Sequence, residues 1–149
     1  SKVIGIDKRE NLTERAIDYK NIWIEKKFVK KNNIEFKNVD LNNNLEILND
    51  VNYLIFLRVL YHLGQGVENI FESIKNRKDM VILIQGNNAR AKKAEHVSHN
   101  YGNKLAIKKN IIKFLSKYNF TYIEIDSEII FAYHKESEKK WEKKKIFDL

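Results

Sequence analysis

A mostly parallel, doubly wound α/β sheet is the fold class this sequence predicts, and three observations predict it. Short apolar runs alternate along the chain with segments whose apolar residues recur at helical spacing. Two of the runs, Tyr53-Leu-Ile-Phe-Leu57 and Met80-Val-Ile-Leu-Ile84, are apolar without interruption, the pattern of strands covered on both faces. The last two runs are separated only by Asp126-Ser127, a hairpin-length turn, so one antiparallel strand is expected at one side of the sheet.

In chain order, Val3-Ile-Gly-Ile-Asp7 is a β-branched strand ending in a carboxylate. Asn11, with Glu14 three residues on, has the form of a reciprocal helix cap. Leu12, Ala16, Tyr19 and Trp23, joined by Ile17, Ile24 and Phe28, give that helix an apolar face, and Trp23 and Phe28 are expected in the core. The polar stretch Lys30-Lys-Asn-Asn33 stops it. Ile34 to Val39 alternates with period two, as a strand near a sheet edge does, and Asp40 follows. Leu41 to Asn49 is a polar turn with a short helical piece, leading into the strand of Tyr53 to Leu57.

Gly64-Gln65-Gly66 opens a helix through Val67, Ile70, Phe71 and Ile74, closed by the basic Lys75-Asn-Arg-Lys78. After the strand of Met80 to Ile84, residues 87–103 lack apolar periodicity and form a long polar connection, the kind that serves as a lid or binding loop. Leu105, Ile107, Ile111, Ile112, Phe114 and Leu115 mark another amphipathic helix. Phe120 to Ile125 and Glu128 to Tyr133 are the hairpin strands, and residues 136–149 form a charged tail helix anchored by Trp141. No repeat or linker interrupts residues 1–149, which are expected to form a single domain.

The 149 residues suffice for one sizeable core, with 43% apolar and 32% charged residues. The absence of cysteine excludes disulfides, thiolate nucleophiles and zinc–thiolate sites. No apolar run approaches the length of a membrane span, and the first strand comes too early for a signal peptide, so a cytoplasmic location and no membrane contact are expected. The net charge of +8 suits a polyanion partner, although a Lys-, Asn- and Ile-rich composition also produces such a charge through solvated helix faces.

Candidate site residues follow from the fold class. Chemistry in open α/β sheets gathers beyond the carboxyl ends of strands. Arg58, Tyr61 and His62 follow one buried-type strand; Gln85, Asn87 and Asn88 follow another, with amides that both donate and accept. Asp7 ends the first strand with a carboxylate, and Asp40 follows the second. Arg90, Lys92 and Lys93 could grip an anionic substrate. His96 and His99 have helical spacing but no third ligand nearby, so no metal site is expected.

With these residues placed, nearly the whole chain resembles a class I S-adenosylmethionine-dependent methyltransferase, a Rossmann-like family, entered at that family's second strand. Val3 to Asp7 matches the strand whose terminal acid holds the cofactor ribose. Asp40, with Leu41, falls where the family places residues near the adenine. Phe56-Leu-Arg-Val-Leu-Tyr-His-Leu63 is similar to the segment bordering cofactor and substrate, and the helix from Lys104, the Asn119-Phe120 entry and the final hairpin match the closing elements. The resemblance implies S-adenosyl-L-methionine as cofactor, bound by Asp7, Asp40, Leu41 and Arg58. It implies catalytic roles for Tyr61, His62, Arg58 and Gln85, and acceptor contacts from Asn87, Asn88 and Arg90. The methyl acceptor would be a small molecule or a nucleic acid.

The sequence departs from the family in lacking its first strand and glycine-rich loop; relative to the family it is truncated at the N-terminus. Gly64-Gln65-Gly66 follows the wrong strand to replace that loop. In the family's sheet the missing strand lies between those of Val3 to Asp7 and Asn52 to Leu57. Either these two pair directly or an edge stays open, and an open edge predicts a homo-oligomer or a partner chain that completes the sheet. Two other functions compete: a non-catalytic or cofactor-consuming Rossmann-like subunit acting in an oligomer, and a basic nucleic-acid-binding module.

Overall fold

The computed structural model describes residues 3–28, 34–87 and 105–138. The chain divides into two units, Ser1–Asn44 and Leu45–Leu149, each with its own sheet.

In the first unit, strand β1 (Val3–Asp7) pairs in parallel with β2 (Ile34–Asn38), and helix α1 (Glu10–Glu25) connects them. The glycine within β1 has a steric reason. Gly5 faces Phe36, whose ring lies where a side chain would go: a Cβ at Gly5 would stand 2.4 Å from Phe36 Cδ1. Helix α1 starts one residue before the expected cap, with Arg9 in the capping position and no side-chain cap bond. Asp7 takes over part of that function, because its carboxylate accepts the Arg9 backbone N–H at 2.9 Å. The helix ends with Lys27 in the left-handed region (φ 61°), where Phe28 N–H reaches Trp23 O and Lys27 N–H reaches Ile24 O. This is a Schellman-type stop built without glycine.

Thr13 is the buried residue of α1, and its hydroxyl bonds the Asp7 and Arg9 carbonyls. Trp23 and Phe28, expected in the core, are instead 49% and 76% exposed. Two paired strands offer too narrow a surface to cover every apolar side chain of a sixteen-residue helix.

The second unit carries a four-stranded mixed sheet in the order β3-β4-β6-β5, from β3 (Tyr53–Leu57), β4 (Val81–Gln85), β5 (Phe120–Glu124) and β6 (Ile129–His134). β3 and β4 are parallel, whereas β6 runs antiparallel to both β4 and β5. The reversed strand therefore lies inside the sheet, between β4 and β5, and not at its side as the hairpin spacing suggested.

Helix α2 (Gly66–Ile74) buries Val67, Ile70, Phe71 and Ile74, and helix α3 (Lys108–Lys117) buries Ile111, Phe114 and Leu115. Both sets follow the helical period. Phe71 joins them to the sheet: its ring centroid lies 6.3 Å from Phe56, 4.9 Å from Phe114 and 5.9 Å from Phe120. Asn119, at φ 65°, turns the chain from α3 into β5.

The fold is thus mixed α/β, with three helices and two small sheets among the described residues. Among the described residues the strands fall into two sheets, β1-β2 and β3-β4-β6-β5, where the sequence predicts a single continuous one. β3 also departs from the expected burial. Phe56 is 4% exposed, but Tyr53, Ile55 and Leu57, on the opposite face, are 66%, 60% and 54% exposed. An uninterrupted apolar run marks a strand covered on both faces only where covering elements exist. Of the predicted tail helix, the described part is a 3-10 turn at Lys135–Ser137 and Glu138; the remainder, with Trp141, lies outside the described residues. Among the described residues no helix is long and apolar enough to cross a membrane.

Candidate functional site

At the carboxyl ends of β3 and β4, the second unit gathers polar side chains from three separate stretches of sequence. β3 ends where Arg58 enters the left-handed region (φ 57°) and its N–H donates to Gln85 O at 3.1 Å. A non-glycine residue held there carries a modest conformational strain that its surroundings must offset. The turn lets the Arg58 guanidinium meet the Glu128 carboxylate at 3.2 Å. Gln85, at the end of β4, donates its amide to the same carboxylate oxygen at 3.4 Å.

Glu128 is held from both sides. Its backbone N–H donates to Asp126 Oδ1, and its carbonyl accepts from Gly86 N–H at 2.8 Å. The chain then forms a 3-10 turn at Leu60–His62 that places Tyr61, 8% exposed, with its phenol oxygen accepting from the Asn87 amide at 2.9 Å. The rings of Tyr61 and His62 lie 4.4 Å apart.

Five of the residues expected from the sequence, Arg58, Tyr61, His62, Gln85 and Asn87, therefore occupy one rim of the second unit. Glu128 completes the group and was missed, because it was read as the ordinary first residue of a hairpin strand. The available signal was direction: an antiparallel strand begins at the rim where its parallel neighbours end. Asn88, Arg90, Lys92, Lys93, His96 and His99 lie outside the described residues. No group of three or more His, Cys, Asp or Glu side chains suited to a metal ion occurs among the described residues.

Asp7, Asp40 and Leu41 belong to the other unit. Asp7 ends β1 as expected, but both its oxygens are engaged: Arg9 Nε donates to Oδ1 at 3.0 Å and an Arg9 terminal nitrogen to Oδ2 at 2.9 Å. The side-chain hydrogen bond from Arg9 is the main cause holding the Asp7 carboxyl below its ordinary pKa, with partial burial opposing it. A depressed folded-state pKa contributes stability above the unfolded-state value, lost as pH falls through the folded one. The effect is small because the pair is exposed to solvent. Asp7→Asn is expected to make the helical signal of the first unit less sensitive to acid below the ordinary aspartate range; identical acid titrations for the two proteins would refute that coupling. Asp40 serves its own turn, where Oδ1 accepts Asn42 N–H at 3.0 Å and its carbonyl accepts from Asn43 and Asn44. Leu41 lies in the same turn, half-buried.

The donor set of the first unit fits the nucleoside end of the implied cofactor. A carboxylate has about four acceptor positions, so a diol can bond Asp7 beside Arg9 or displace it. No glycine cradle for the methionine end is found among the described residues. No family model, curated protein or solved structure matches the chain.

Proposed function

We propose that the chain is an S-adenosylmethionine-dependent methyltransferase of unassigned acceptor; Asp7 and Asp40 are the proposed nucleoside contacts of the first unit, and the rim of Arg58, Tyr61, His62, Gln85 and Asn87 is the proposed acceptor contact of the second. The observation that carries this reading is the convergence of Arg58, Gln85 and Glu128, and of Tyr61 and Asn87, at the carboxyl ends of a parallel strand pair. The order β3-β4-β6-β5, closed by a hairpin, supports the same family likeness.

The cofactor, when bound, supplies an electrophilic methyl group. The residues of the rim then have positioning work to do. Arg58 and Gln85 present N–H donors, Glu128 an acceptor, and the Tyr61 phenol is held in place by Asn87. Such a set orients a polar acceptor by several hydrogen bonds at once. His62, beside Tyr61, is the rim residue suited to take up a proton released by the acceptor.

Titration calorimetry of the full chain with S-adenosyl-L-methionine tests the reading. Asp7→Ala is expected to weaken binding by about 10–100-fold, the value of charge-assisted hydrogen bonds worth roughly 1.5–3 kcal/mol. Arg9→Ala is expected to strengthen it, because Arg9 competes for the same oxygens. No measurable binding, or binding indifferent to both substitutions, overturns the assignment. A second reading, a non-catalytic subunit of an oligomer, is favoured by that same Arg9 engagement of Asp7. It predicts no cofactor binding by either the natural chain or Arg9→Ala.

A further inference from the structure

The sheet of the second unit has two edges, and they differ. β5 carries Thr121 and Glu124, with Glu124 bridged to Lys108 at 2.5 Å, so charge guards that side. β3 carries Tyr-Leu-Ile-Phe-Leu, without charge, proline or glycine. Its peptide groups alternate in direction. Asn52 O accepts from Val81 N–H and Arg58 N–H donates to Gln85 O, so the even-numbered residues turn toward β4. Tyr53, Ile55 and Leu57 therefore turn their N–H and C=O groups outward, and their side chains share the exposed face.

We infer that this edge is a self-association surface on which a second copy of the chain pairs its own β3 antiparallel, with Ile55 facing Ile55 across a twofold axis. Sequence symmetry selects that register. Centred on Ile55, Tyr53 faces Leu57 and Leu54 faces Phe56, so every facing pair within the strand is apolar. The outward-turned pairs can exchange main-chain hydrogen bonds in both directions.

Charge selects it too. The amino end of the strand carries exposed Asp50, beside an Asp79 that bonds Asn52 and is paired with Arg77; the carboxyl end carries the half-exposed guanidinium of Arg58, paired on one side with Glu128. Antiparallel pairing sets Arg58 opposite Asn52 and one diagonal step from Asp50, at both ends, whereas parallel pairing would set like charges together. In a chain of net charge +8, an uncharged strand flanked by opposite charges is also where two copies meet with little repulsion. The inference stands whether or not the chain binds S-adenosylmethionine.

The natural absence of cysteine makes the register directly testable. In mild oxidant, Ile55→Cys is expected to form a disulfide-linked dimer, because facing residues of an antiparallel pair lie within disulfide reach. Tyr53→Cys alone is expected not to, since its counterpart is displaced along the strand; Tyr53→Cys with Leu57→Cys is expected to crosslink. Light scattering on the unmodified full chain should give twice 17.8 kDa, and Ile55→Lys, at an exposed position, should return it to the monomer mass with its circular dichroism unchanged. A monomer at every concentration overturns the inference, as does a dimer indifferent to Ile55→Lys. Equal crosslinking by Tyr53→Cys and Ile55→Cys also overturns it.

Discussion

Phe71→Ala is expected to destabilise the second unit by about 3–5 kcal/mol, the cost of emptying an aromatic site in a packed core. Phe71 is fully buried, and its ring contacts belong to every layer of the unit: Phe56 on β3, Phe114 on α3, Tyr118 just beyond α3, and Phe120 on β5. Two of these contacts are edge-to-face, at 80° and 82°, a geometry that adds to simple burial. The surroundings cannot collapse into the space, because the neighbouring rings are themselves held by different elements. Residue-resolved hydrogen exchange is the suitable measurement, since it reports β4 without interference from the first unit. A loss of protection at Ile82 and Ile84 worth less than about 1 kcal/mol would show that the ring cluster is not the keystone it is argued to be. For a domain whose whole stability is typically about 5–15 kcal/mol, the expected loss approaches unfolding.

That cluster also shows why parts of the fold were legible. Val67, Ile70, Phe71 and Ile74 are spaced so that no strand could bury them together, and the helix lies where the pattern puts it. The strands of Tyr53–Leu57 and Val81–Gln85 were equally plain, and with them the rim positions Arg58, Tyr61 and Gln85, since a strand's end fixes where the following side chains stand. Composition cannot show which strands exchange hydrogen bonds. Tyr-Leu-Ile-Phe-Leu reads the same whether two neighbours flank it or one, so the edge position that β3 holds among the described residues was visible only as an alternative.

The same limit hid Glu128. Its part in the rim depends on β6 lying between β4 and β5, a long-range pairing that leaves no local mark. Asp7 shows a different limit. The strand end was read correctly, but the competing role was set by Arg9, two residues away, whose guanidinium folds back onto the carboxylate.

His134 lies one residue beyond the strand expected from the sequence, at the end of β6, and its replacement carries the second large effect. It is 3% exposed and ends β6, with Nδ1 accepting Glu136 N–H at 3.2 Å and Nε2 lying 3.0 Å from Lys75 O. With Nδ1 accepting, Nε2 is the ring nitrogen left to donate to the Lys75 carbonyl, just past the C-terminus of α2. The ring edge also packs on Phe120, with centroids 6.0 Å apart. His134→Ala removes that packing and leaves Lys75 O and Glu136 N–H without their partner, at an expected cost of about 2–4 kcal/mol. His134→Phe keeps the ring and loses both hydrogen bonds, isolating their share at about 1–3 kcal/mol. If His134→Phe matches the natural chain in urea denaturation, the hydrogen bonds contribute nothing and the argument fails. The damage should also be directional. β6 is fastened at its amino end by Gly86 N–H to Glu128 O and beyond its carboxyl end by Lys135 N–H to Asn119 O. Losing His134 loosens the second fastening, so the Lys135 amide should exchange faster while Gly86 stays protected, and the Arg58–Glu128–Gln85 rim should survive a substitution made at the opposite end of the same strand.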